Sequence, residues 1–281
     1  MKFRTSIIVT SRYIVLVLFI AAAGCQGHRA GDGPLLSTAA ERVRYQRQTE
    51  GTQAIPHLRE AVVDASLSGK PAHVAIIVHP AYALFFPEDN AREYSGGRAR
   101  LVRNQLRNEA KFLENNAGSD NAVMILVLPA GSITGQDAAA GYGAYLNRQI
   151  NGAGRVFYVY SESTTNGALA QEDMLLLYQY LNSVRSEKVM IGGGFVGRCQ
   201  ESFFKQLATY VKPESIFIIP EISSISPADV SDSEARRIAT LMDRHDFEPV
   251  RTFVRKKTDG SPNVLSFSRS DVPAESNPVL Q

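Results

Sequence analysis

Five short runs in this chain carry apolar, β-prone residues at nearly every position: His73 to His79, Ala122 to Leu128, Arg155 to Tyr160, Lys188 to Ile191, and Ser215 to Ile219. A strand with one wet face alternates apolar and polar residues, so runs without alternation describe strands covered on both faces. Parallel sheets meet that condition, because every crossover connection lays a helix against a face. Amphipathic stretches long enough for such crossovers separate the runs. The pattern predicts a doubly wound α/β fold, a mainly parallel sheet with helices on both faces in a Rossmann-like three-layer sandwich. No internal repeat is apparent, and the roughly 220 residues of 38–257 suffice for a single domain.

Between the first two runs, Val102, Leu106, Ala110 and Leu113 recur at helical spacing. Arg100, Arg103, Arg107 and Lys111 form a stripe on another face of the same helix, which reads as a solvated face before it reads as a contact for anionic lipid headgroups. Ser231-Asp232-Ser233-Glu234 has the form of a capping box, with Ala235, Ile238 and Met242 on one face of the helix that follows. Val250 to Arg255 reads as a last strand, and residues 258–281, rich in Ser, Pro and Asn, as a loose tail. Ahead of the main fold, Thr38 to Ser68 has helix-compatible composition broken by Gly51 and Pro56.

The first residues place Lys2, Arg4 and Arg12 before an apolar run from Tyr13 to Phe19, then close on Ala21-Ala22-Ala23-Gly24-Cys25. Basic, greasy and small segments in that order make an export signal, and the apolar run is far shorter than the ~20 residues of a spanning helix. The small residues before Cys25 resemble the lipobox of bacterial lipoproteins, with Ala22 where most carry Leu. The resemblance implies cleavage after residue 24, a lipid on Cys25, and a membrane as the partner of residues 25–37, a Gly-rich tether. Gln26 after the cysteine leads to an expected place on the outer membrane of the bacterial envelope. Loss of the signal takes the formal charge from +2 to −1, a balance that argues against nucleic-acid binding. With Cys25 lipidated, the second of the two cysteines, Cys199, has no intramolecular partner.

Open α/β sheets bind ligands beyond the carboxyl ends of their strands. Three such ends are informative: His79-Pro80-Ala81-Tyr82 running on to Phe85 and Phe86, Tyr160-Ser161-Glu162, and Gly192-Gly193-Gly194-Phe195-Val196-Gly197-Arg198-Cys199. Cys199 falls at the start of a helix expected over Gln200 to Val211, where backbone N–H groups and the dipole lower a thiol's pKa and cradle an oxyanion. Tyr82, Phe85 and Phe86 read as core before they read as a pocket lining. His28, His57 and His245 form no ligand set.

From His73 to Ser224 the chain resembles the isochorismatase-like cysteine hydrolases, which include the nicotinamidases. Val74 to Val78 leading through His79 to Leu84-Phe85-Phe86 is similar to the family's first strand. Gly193 and Cys199 keep its six-residue interval between strand end and nucleophile, and Val156 to Tyr160 with Leu175 resembles its third strand and following helix. The resemblance implies Cys199 as nucleophile and the loop Gly193, Gly194, Phe195, Val196, Gly197 and Arg198 as oxyanion or ligand loop. The family's general-base Asp falls on His79 and its Lys most nearly on Tyr160, while Pro129-Ala130-Gly131-Ser132 keeps none of the nicotinamidase metal ligands, so no metal or other cofactor is implied.

Two readings follow: a divergent hydrolase of a small amide or related bond, with His79 as base to Cys199, or an inactive relative serving as a non-catalytic binding or scaffold lipoprotein, with a small molecule as the candidate ligand. Loss of both Asp and Lys favours the second. A third uses Gly192, Gly194 and Gly197 as a G-x-G-x-x-G dinucleotide fingerprint with Glu221 as the acid, although that motif normally follows a first strand, not a fourth.

Overall fold

A computed structural model describes residues 55–61, 73–82, 94–116, 122–129, 132–133, 136–137 and 155–257. Five parallel strands form the sheet: β1 (His73–Val78), β2 (Ala122–Leu128), β3 (Val156–Tyr160), β4 (Val189–Gly193) and β5 (Ile216–Ile218), in the order β3-β2-β1-β4-β5. His73 pairs with Ala122 on one side of β1, and Val74 with Val189 on the other. The doubly wound α/β expectation holds, and each strand lies within the run that predicts it or one or two residues from its ends. Export signal, Cys25, tether and tail lie outside the described residues, as do Phe85 and Phe86.

Strand β1 explains why its sequence does not alternate, since Val74, Ile76 and Val78 face one apolar layer while Ile77 faces another, all fully buried. On the first side, Met174, Leu177 and Leu181 of α2 (Gln171–Ser183) and Phe203 and Leu207 of α3 (Cys199–Leu207) fill the layer. On the second, Leu113 of α1 (Gly96–Asn116) meets Ile77, Met124 and Leu126. Burying a Leu or Ile completely contributes about 1.5–3 kcal/mol, so this double layer is the main source of stability.

The helix α4 (Asp232–Met242) packs along α1, where Asn104 Nδ2 donates to the Ala239 carbonyl at 2.8 Å. Ser231 caps α4 by accepting from the Glu234 N–H at 3.2 Å, and Ala235, Ile238 and Met242 are buried as their spacing requires. The buried stripe of α1 differs from the expected one. It takes in Leu101, Val102, Asn104, Gln105, Glu109 and Leu113, with Leu106 only packed at its margin. Three polar residues lie on it because α4 and the turns beyond the sheet offer carbonyl and N–H partners there. In the basic stripe, Arg100 and Arg107 both bind Asp243, at 2.7 and 2.6 Å.

The strand expected over Val250 to Arg255 is instead part of a helix, α5 (Glu248–Lys257). Phe247, Val250 and Val254 are the buried residues, a helical spacing that outweighs the alternation of Val250, Thr252 and Val254. Asp246 accepts from the Glu248 N–H at 3.0 Å at its start, and Arg255, Lys256 and Lys257 suit the dipole at its end. At the other edge of the sheet, residues 55–61 form a 3₁₀ turn, Leu58–Glu60, and a parallel bridge from His57 to Tyr158, covering part of β3.

Candidate functional site

The order of strands reverses direction between β1 and β4, and the two segments leaving those strands meet there, which is where an open α/β sheet places a ligand. The first is the turn after β1. His79 (φ 44°) and Ala81 (φ 50°) both take left-handed backbone conformations that side-chain-bearing residues adopt only when held. They are held: the His79 N–H donates to the Val127 carbonyl at 2.8 Å, and the Ala81 N–H to Glu109 Oε1 at 2.7 Å. The imidazole is 0% exposed and stacks on Tyr82 at 5.6 Å, and Tyr82 meets Phe195 edge-on at 5.5 Å.

The proton on this imidazole can be placed. Ser161 Oγ lies 2.8 Å from the Ser163 carbonyl oxygen and 3.3 Å from that of Leu128, both acceptors only, so its single hydroxyl proton is committed to them. At 2.8 Å from His79 Nε2 it must therefore accept, which makes His79 the Nε2–H tautomer. Among the described residues Nδ1 has no hydrogen-bond partner and keeps a bare lone pair. Burial pushes the imidazole pKa down to about 3, so the ring is neutral under ordinary conditions. The arrangement runs opposite to a nucleophile–base pair, where the ring would take the hydroxyl proton.

The second segment runs from Gly193 to Cys199. Gly193, Gly194 and Gly197 have φ of 71°, 60° and 76°, the conformations that glycine alone adopts freely. Its N–H groups are largely spent within the protein: Phe195 donates to Cys199 Sγ at 3.2 Å, Val196 to the Ser224 carbonyl at 2.9 Å, and Arg198 to the Phe195 carbonyl at 3.1 Å. Gln200, buried behind the loop, donates from Nε2 to the Gly193 carbonyl and to Ser223 Oγ, each at 2.9 Å. Arg198 turns outward to Asp229 at 2.7 Å.

Cys199 opens α3 as expected, but it is 3% exposed. Burial pushes the thiol pKa up, and the N–H groups of Phe195, Gln200 and Cys199 together with the Arg198 charge pull it down by less. The helix start does lower the thiol's pKa, but here desolvation is the larger effect.

The two candidate groups do share an edge. A Cβ placed on Gly194 would lie 2.9 Å from Cys199 Sγ and 3.2 Å from the carbonyl oxygen of Val78, the residue before His79. No hydrogen bond joins them, since Nε2 is bound to Ser161 and Nδ1 has no partner. The glycines of the G-x-G-x-x-G pattern make room for the protein's own atoms: Gly192 for Ile222, Gly194 for the sulfur, and Gly197 for the Lys257 stem. Tyr82 is core, 6% exposed. Among the described residues no three His, Cys, Asp or Glu side chains gather as a metal site.

Three residues that shape this edge give little sign of it in sequence. Ser161 stands out only as a residue beyond a strand. Gly167 gives no sign, although a Cβ on it would come 2.2 Å from the Cys199 carbonyl oxygen. Glu109 could have been found from its position four residues after Gln105 and four before Leu113, on the stripe that faces inward.

No protein-family model and no curated protein matches the chain. Among solved structures it is similar to an isochorismatase-like hydrolase from Alkaliphilus metalliredigens, at 12% identity over 65% of this chain and 99% of that one, with a TM-score of 0.39. It is also similar to a putative MAR1 ribonuclease from Leishmania major, at 13% identity over 76% of this chain and 92% of that one, with a TM-score of 0.33. Likeness at this level bears on neither activity nor ligand.

Proposed function

We propose that the chain is a lipid-anchored protein of the bacterial envelope whose α/β domain is a catalytically silent relative of the isochorismatase-like hydrolases, serving to bind or scaffold. The observation that carries the reading is the closure of the edge by its own side chains. A neutral imidazole donates to Ser161, a neutral thiol is buried, and the loop N–H groups that would stabilise an oxyanion are given to Ser224, Phe195 and the sulfur itself. A general base works best with a pKa near the operating pH, and His79 lies far below it.

Iodoacetamide at neutral pH tests this, because Cys199 is the one free thiol once Cys25 is lipidated. Labelling of the native protein, followed by peptide mass spectrometry, is expected to run on the order of a hundredfold or more slower than in denaturant, since the sulfur reacts only through opening. Labelling as fast as a small free thiol would sink the silent reading.

The hydrolase reading expects that fast rate, and the feature in its favour is the set of N–H groups of Phe195, Gln200 and Cys199 turned toward the sulfur. The anchor has a separate test. The wild-type protein is expected in the detergent phase on detergent partitioning and Cys25→Ser in the aqueous phase, because acyl carbons contribute about 0.8 kcal/mol of membrane affinity per CH₂. Equal partitioning of the two would remove the lipid from the proposal.

A further inference from the structure

The geometry points to Glu109 as a pH-dependent latch on the turn that carries His79: protonated, its carboxyl stays buried against Ala81; ionised, it leaves the core for water and the turn opens. Movement of this turn does not depend on whether Cys199 is reactive.

Glu109 is 3% exposed on the inward stripe of α1, and its partner is the Ala81 N–H. Among the described residues no cation pairs with the carboxyl. Of the charged groups on elements packed against α1, Asp232 of α4 is bound by the Arg98 N–H and lies 3.5 Å from Arg236, and Asp243 is bound by Arg100, Arg107 and Asn104. Glu221, in the 3₁₀ turn Pro220–Ile222, lies 3.9 Å from Arg251 of α5, and Asp229, in the 3₁₀ turn Pro227–Asp229, is bound by Arg198. His79, in the turn itself, is neutral. None of these shifts Glu109: burial raises its pKa to about 8, against a smaller lowering by the Ala81 N–H.

Ionisation does not weaken the bond to Ala81, because a carboxylate accepts more strongly than a carboxylic acid. What it makes costly is the burial, and the carboxylate regains water only by parting α1 from the turn. The turn is suited to yield there, since two of its residues leave strained left-handed conformations when it opens.

An open state in which Glu109 is solvated binds its proton near the ordinary value of 4.5, whereas the closed state binds it to about 8. The opening constant therefore rises toward tenfold per pH unit between those values and levels off above them. Hydrogen exchange of the Ala81 amide, corrected for intrinsic rate, reads it directly. Protection in the wild type is expected to fall close to tenfold per unit from about pH 6 to 8. In Glu109→Gln, which keeps the acceptor oxygen and cannot ionise, it should be flat. Protection that is flat in the wild type, or that falls equally in the variant, overturns the proposal. If the variant does not fold, carbon-13 NMR of the wild-type Glu carboxyls decides: one is expected to titrate near pH 8, and a spectrum in which none titrates above pH 6 is equally fatal.

Discussion

Gly193→Ala is expected to destabilise the protein by about 3–5 kcal/mol, enough to consume much of a typical domain's stability. Two costs add. An L-residue held at φ 71° loses roughly 1–2 kcal/mol. The new Cβ would also lie 2.3 Å from the Val78 carbonyl oxygen and 2.7 Å from Ile77 Cγ2, and the first of these is backbone in the central strand, which cannot swing aside. Gly194→Ala is the matched control. It carries a similar φ, but its nearest neighbour is the Cys199 sulfur at 2.9 Å, the end of a side chain that can rotate, so about 1–3 kcal/mol is expected. Urea titrations of both variants give the comparison through their midpoints. A Gly193→Ala loss below about 1 kcal/mol would mean that β4 does not end against β1 in this way.

That pair of glycines also shows what the sequence can and cannot carry. The run Gly192-Gly193-Gly194 marks a sharp, close-packed turn, and the turn is there, at the junction of β1 and β4 where two unalternating apolar runs meet. The strands are legible for the same reason: burial on both faces leaves a continuous apolar signature that loops do not mimic. What fills the glycine spaces is not legible. Ile222, the Cys199 sulfur and Lys257 come from residues 5 to 60 positions away, and nothing local announces them. The last helix is misread as a strand because Val250, Thr252 and Val254 alternate, while the deciding residue, Phe247, stands outside the run. The state of Cys199 is a second case. Its position at a helix start is a local property and is readable, whereas its exposure depends on packing by Gly167, Phe195 and the turn of His79, which is tertiary. Position alone would make the thiol acidic, and burial reverses the sign.

Folding stability is expected to vary with pH as a flat-topped curve with limbs set by two buried groups of opposite kind. His79 binds its proton at about 3 when folded against an ordinary 6.5, so its contribution is present above 6.5 and is lost as pH falls toward 3. Glu109 binds its proton at about 8 when folded against an ordinary 4.5, so its contribution is present below 4.5 and is lost as pH rises toward 8. Between 4.5 and 6.5 folding gives up one proton at His79 and takes up one at Glu109, and the two slopes cancel. Stability should therefore be level across that window and decline on either side, by up to tenfold in the folding constant per pH unit. The acid side is shared: His57, held below its ordinary 6.5 by burial, adds a small slope of the same sign below 6.5, and Asp232 and Asp243, with pKa values held low, weaken in the same direction, although the exposure of all three makes their part small. The limb from 6.5 to 8 belongs to Glu109, since the raised values of Cys199 and Tyr180 act only above their ordinary 9 and 10. Urea unfolding at pH 5.5, 6.5 and 8 for the wild type and Glu109→Gln isolates it. The wild type should lose roughly 2 kcal/mol between 6.5 and 8, and the variant almost nothing. A wild-type protein as stable at pH 8 as at pH 6.5 would show that Glu109 is solvated in the native state and that the turn beyond β1 is not sealed.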